Sequence, residues 1–272
     1  MRTYLLATAL FAPSLLVAQA TPPDLARERA ERVHWLACDP LSPARAVAIE
    51  QIPPVGVTLG GTGSDIPLEG LPAGRIVEAN GALTLKGWGA DLALPVGRTT
   101  SARGVRFQPS GTTGRFTVLV SRDDKTGVRP AFFPYHAAAR FVVTLTPTTP
   151  RTARILLPVG SSVEATEVGT VAFTLADTTR TLHVMRVAGD GEESELLINF
   201  RDGTTGQGTY PAGRFVELIP TAGGKYLLDF NRAYNPNCAY SSVFPCPIPW
   251  VGNSVTAKIE AGEKYPPEHL GR

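Results

Sequence analysis

The sequence predicts an all-β fold, mainly an antiparallel sandwich or barrel-like arrangement, with one short N-terminal helix. Three observations predict it. About a dozen short apolar runs follow one another from residue 75 onward, each bounded by turn residues. Asn80-Gly81 sits between two alternating segments, a combination that favours a two-residue hairpin turn. Glycine (27) and proline (24) punctuate the chain more densely than a helical protein tolerates, yet stay below low-complexity levels.

The elements follow in chain order. Arg2 supplies a positive start, Leu5 to Val17 an apolar stretch, and Ala18-Gln19-Ala20 a small-residue cleavage motif, so residues 1–20 read as a signal peptide. Cleavage after Ala20 would leave Thr21 first and a periplasmic or secreted chain. A lipid anchor would need a cysteine at that point. No later apolar run reaches membrane-spanning length, so no transmembrane segment is expected after cleavage. Residues 21–60 form an N-terminal helix and an extended segment. Pro22-Pro23-Asp24 opens the helix, Leu25 to Ala37 is rich in good helix formers, and Pro40 and Pro43 close it. From there to Gly63 the chain reads as loop.

Residues 61–272 read as a single β-rich domain. Strands are expected at Arg75–Ala79, Ala82–Lys86, Val105–Phe107, Arg115–Val120, Phe141–Thr146, Ile155–Pro158, Val171–Leu175 and Leu182–Val187. The last third adds Leu196–Arg201, Arg214–Ile219, Tyr226–Asn231 and Ser254–Glu260.

Cys238 and Cys246 are eight apart in a proline-rich loop and are the expected disulfide in an oxidising compartment. Closing so small a loop contributes about 2.5 kcal/mol on the chain-entropy account. Cys38 is left over, and Trp35 and Leu36 beside it suggest a buried thiol. No C-x-x-C occurs, and no histidine has ligand spacing to the cysteines, so neither a metal site nor a cofactor is expected.

Polar residues gather in the last third. If the strands near 196–202, 213–219 and 225–231 form a meander, Asp202, Arg214, Asp229 and Asn231 all reach one end of the sheet. Side chains alternate faces, so each strand is apolar until that end and polar there. An arginine between two carboxylates binds both and holds them ionised. The same network can equally pin the loop 232–250. That loop carries Tyr234, Tyr240, Phe244 and Trp250 among prolines and the cysteine pair, suited either to a ligand wall or to a lid.

Net charge is +2 with both signs mixed along the chain, which speaks against a nucleic-acid partner. Nucleophile-elbow, zinc-protease and phosphate-loop motifs are missing, and Gly61-Thr62-Gly63-Ser64 is only a glycine-rich turn. No catalytic residue is assigned. His183 reads as a packed or surface strand residue, and His136 as part of an aromatic turn.

Phe200-Arg201-Asp202-Gly203-Thr204-Thr205-Gly206, Thr209-Tyr210-Pro211-Ala212-Gly213-Arg214-Phe215, the long run Leu228 to Tyr240, Cys246-Pro247 and Ala261-Gly262-Glu263-Lys264 resemble a bacterial domain-of-unknown-function family, the one numbered 1684. Gly63 to Leu68 resembles its N-terminal part, whereas Trp35 to Gly60 departs from it. The resemblance implies an exported protein and no activity. It marks Asp202, Tyr210, Arg214, Asp229, Asn231, Tyr234, Asn235, Cys238 and Cys246.

The expected function is an exported binding or structural module of the bacterial envelope. Its candidate site is Asp202, Tyr210, Arg214, Asp229, Asn231, Tyr234, Asn235 and Tyr240, beside loop 232–250. A small molecule, a glycan or an envelope protein would be the partner. The alternative is a hydrolase-type enzyme using Asp202 or Asp229 as acid or base, with Arg214 steadying an anion.

Overall fold

The computed structural model describes residues 20–156, 162–188, 194–246 and 249–265. Residues 1–19 of the expected signal peptide lie outside the described residues, as does the end of the strand expected at Ile155–Pro158.

The chain forms helix α1 (Pro23–Cys38) and then strands β1 (Ala46–Gln51), β2 (Val57–Gly60), β3 (Ile66–Pro67), β4 (Gly74–Ala79), β5 (Ala82–Lys86), β6 (Leu92–Leu94), β7 (Thr100–Ala102), β8 (Val105–Thr112) and β9 (Arg115–Arg122). There follow β10 (Arg140–Val143), β11 (Leu145–Leu156), β12 (Ser162–Leu175), β13 (Thr178–Ala188), β14 (Ser194–Phe200), β15 (Arg214–Pro220) and β16 (Tyr226–Asp229). Three sheets result, ordered β1-β9-β8-β7, β3-β2-β4-β5-β6 and β10-β16-β15-β14-β13-β12-β11. Among the pairs of described strands only β2–β3 is parallel. The chain is mostly β with one short helix, as the composition and turn spacing predict.

Two large hydrophobic clusters hold these sheets, with a small third one around Ala165, Met185 and Val187. The first two sheets enclose Leu59, Ile76, Leu85, Phe107, Val118 and Val120. The seven-stranded sheet covers a second cluster containing Val171, Leu182, Ile198, Phe200, Val216, Leu218 and Phe230. Phe230 is its hub, with Phe200, Phe173 and Phe141 ring centroids 5.1, 5.3 and 6.1 Å away. Burying rings of this size is the main stabilising term.

The β4–β5 hairpin turns at Asn80-Gly81, whose φ angles of 54° and 73° are the left-handed pair such a turn requires. Two expectations are corrected. The segment read as loop up to Gly63 contains β1 and β2, because Ala46, Ala48, Val57 and Leu59 find buried partners in β9 and β4. Conversely, Ser254–Glu260 is not a ladder strand. Val255, Ile259 and Ala261 are buried in alternation, but the main chain bonds side chains and single neighbours instead of a strand.

Candidate functional site

The expected meander exists: β14, β15 and β16 are adjacent and antiparallel. Register then decides which polar residues meet. Phe200 lies opposite Arg214 and Ile198 opposite Val216, so Arg214 faces the core with them. Asp202, two residues past Phe200, reaches the same face. Arg214 is 1% exposed. Its Nη2 donates to Asp202 Oδ1 at 3.4 Å and to the Ile259 carbonyl at 3.0 Å. Its Nη1 donates to the carbonyls of Ala261 and Glu263. The carboxylate of Asp202 also accepts from the Ile259 amide at 2.7 Å and from the hydroxyls of Thr204 and Thr205. Arginine and aspartate are thus consumed in strapping segment 257–263 onto the sheet.

Asp229 does not join them. Leu218 opposes Leu228 across β15–β16, which puts Asp229 on the other face from Arg214. There Asp229 accepts from the amide of Asn231 at 3.0 Å and from its side chain at 2.8 Å, with Arg140 Nε at 3.7 Å and Arg232 Nε at 3.6 Å. Asn231 in turn brackets the backbone of His136, accepting from its amide and donating to its carbonyl. The expected arginine between two aspartates is therefore replaced by two separate networks on opposite faces.

The outer face carries the cleft. Helix α1 lies over it, tied down by Arg29, whose guanidinium donates to the carbonyls of Phe133 and Asn231 at 3.1 and 3.2 Å. Arg232 reaches back to Glu28 and to Asp24, the latter at 2.6 Å. Between helix and sheet is a cavity of about 550 Å³, lined by Leu25, Glu28, Arg29 and Arg32 of α1, by Phe132, by Glu217 and Ile219 of β15, and by residues 231–234. Arg32 is ringed by Trp35, Tyr234 and Tyr240, with centroid distances of 5.0, 5.3 and 5.6 Å. It donates to the Asn235 carbonyl at 3.0 Å, and its Nε lies 3.4 Å from Glu263 Oε2. The Asn235 side chain donates to Glu263 Oε1 at 3.0 Å.

Asn231, Tyr234, Asn235 and Tyr240 are thus gathered around this cleft and the Arg32–Glu263 pair behind it. Asp202 and Arg214 pair beneath the opposite face. Tyr210 stands apart, donating to the Cys238 carbonyl at 3.0 Å and packing on Tyr265 at 4.8 Å. Cys238 and Cys246 sit at disulfide distance, Cα atoms 5.5 Å apart. Cys38, expected buried, is exposed at the last position of α1. Leu36 takes the buried side, and two residues further round the helix faces outward.

The sequence reading missed Arg29, Arg32, Glu217 and Glu263. Leu25, Arg29 and Arg32 recur at the spacing of one helix face, the signal that α1 turns cations toward the protein.

Burial pushes Glu263 up from 4.5 to about 6, with Arg32 and Asn235 holding it back. The folded chain therefore holds this proton more tightly than the unfolded one. Its contribution is fully present below 4.5 and is lost as pH rises through about 6. We expect a Glu263 carboxyl titration midpoint near 6 by NMR, with about 2 kcal/mol of stability from this group disappearing across that window in urea unfolding. A midpoint in the ordinary carboxylate range would refute it.

Residues 128–264 match a family described as "Protein of unknown function (DUF1684)". The chain belongs to the DUF1684 family. The matched segment of this DUF1684 protein begins just before β10 and includes β10–β16 and the Glu263 strap, whereas α1 lies before it. The helical side of the cleft wall, Leu25, Glu28, Arg29 and Arg32, is thus supplied from outside the family segment. Among solved structures, the chain is similar to the solution NMR structure of an uncharacterized protein from gene locus rrnAC0354 of Haloarcula marismortui. The two are 35% identical, with 50% of this chain and 76% of that one covered and a TM-score of 0.43. No curated protein matches the chain.

Proposed function

We propose that this DUF1684 chain is an exported binding module of the cell envelope. Its ligand, a small molecule or a glycan, enters the cleft between α1 and β15. The observation that carries the reading is the cleft itself, about 550 Å³ of space with apolar, aromatic and charged groups converging on it. Asn231 and Tyr234, two of the residues nominated from sequence, lie on its wall. Binding is favoured over hydrolysis because Asp202 and Arg214 direct their polar groups to Thr204, Thr205 and the 259–263 backbone. A substrate would find neither of them free.

Amide NMR of the mature chain with a set of small amines, acids and sugars tests the reading. Ligands should move the resonances of Arg29, Glu217, Ile219 and Tyr234 together. Shifts falling only elsewhere, or none with any compound, would overturn it. Export rests on the N-terminal motif, and N-terminal sequencing of the protein recovered outside the cytoplasm should begin at Thr21. An intact Met1 there would remove the leader from the account.

A further inference from the structure

We propose that the cleft selects an organic cation, a primary ammonium attached to an apolar body, whose charged end pairs with Glu217. This rests on the cleft being a ligand site and names the chemistry it would take. The argument is one of unmet charge. Two of the three guanidinium groups on the wall are held in ion pairs, Arg232 with Glu28, Asp24 and Asp229 and Arg32 with Glu263, while Arg29 donates to two backbone carbonyls within the field of Asp229. Glu28 is spent on Arg232. Glu217 remains, and among the described residues it has neither a hydrogen bond nor an ion pair.

Its surroundings favour a cation. Partial desolvation and the negative charges of Glu195 and Glu28 outweigh Arg232 and raise the Glu217 carboxyl above its ordinary range. A ligand ammonium would relieve the repulsion that Arg232 offsets only in part. The neighbouring wall suits the rest of such a ligand. Tyr234, held between Phe215 and Arg32, adds a fixed aromatic edge, and Ile219 and Leu25 offer apolar surface to an alkyl body. An anion would find Arg32 and Arg232 already in ion pairs and Arg29 turned to backbone carbonyls, and would meet Glu217 as a like charge.

The test compares n-hexylamine with hexanoate, equal in length and opposite in charge, by calorimetry and amide NMR on the mature chain at neutral pH. The amine should bind about tenfold or more tightly than the acid, with shifts at Glu217 and Tyr234. Glu217→Gln should weaken amine binding about tenfold without moving the melting temperature, since the side chain is solvent-accessible. Wild-type affinity for the amine should also fall with added salt and with acidification. Tighter binding of hexanoate, or an unchanged Glu217→Gln affinity, would overturn the cation while leaving a ligand cleft standing. An absence of cleft shifts with every probe would defeat the cleft as a binding site as well.

Discussion

Arg214→Ala is expected to cost about 3–5 kcal/mol, the loss typical of breaking a buried ion pair from one side. Asp202 would remain buried as an uncompensated carboxylate, and the carbonyls of Ile259 and Ala261 would lose their donor. The damage should start locally. Amides of residues 257–263 should lose hydrogen-exchange protection before those of the β1-β9-β8-β7 sheet, which belongs to a separate hydrophobic cluster. In a double-mutant cycle, adding Asp202→Ala should cost less than the two single losses together, because the second change removes the stranded charge. Unchanged melting and unchanged protection at 257–263 would sink the strap.

Arg32→Ala is expected to cost about 3 kcal/mol at neutral pH and distinctly less in mild acid. Glu263 is fully buried, and Arg32 is the cation that holds its charge. Without Arg32 the carboxyl should titrate above about 6, keeping its proton where the wild type has lost it. Protonation then removes the uncompensated charge, so the variant recovers as pH falls. Arg32→Lys should restore part of the loss: a lysine supplies the charge but not the planar group that Trp35, Tyr234 and Tyr240 surround. A loss equal at both pH values would show packing rather than charge to be responsible.

The site was partly legible in the residues. Period-2 alternation located β14, β15 and β16 and brought their polar ends to one rim, and Arg214 does meet Asp202. The same alternation could not assign Asp229, because a strand's own pattern says which residues share a face and not which face its neighbour shares. That depends on pairing register, where a shift of one residue reverses every side chain. Ser254–Glu260 shows a related limit. Its alternating burial is real, but its main chain is held by the backbone of residues 201 and 203 and by the side chains of Asp202 and Arg214 rather than by a ladder strand, and alternation alone does not distinguish the two.

By itself the sequence determined a β-rich chain, the Asn80-Gly81 hairpin, the cysteine pair and the resemblance that places the chain in its family. These rest on turn chemistry, periodicity and motifs within a few dozen residues. Only the tertiary structure decided that Arg214 pairs with Asp202 alone of the two aspartates, and that an N-terminal helix roofs a cleft. Arg29 bonds a carbonyl 202 residues away in the chain. A contact so distant is fixed by how whole elements pack and stack their charges, which no local pattern encodes.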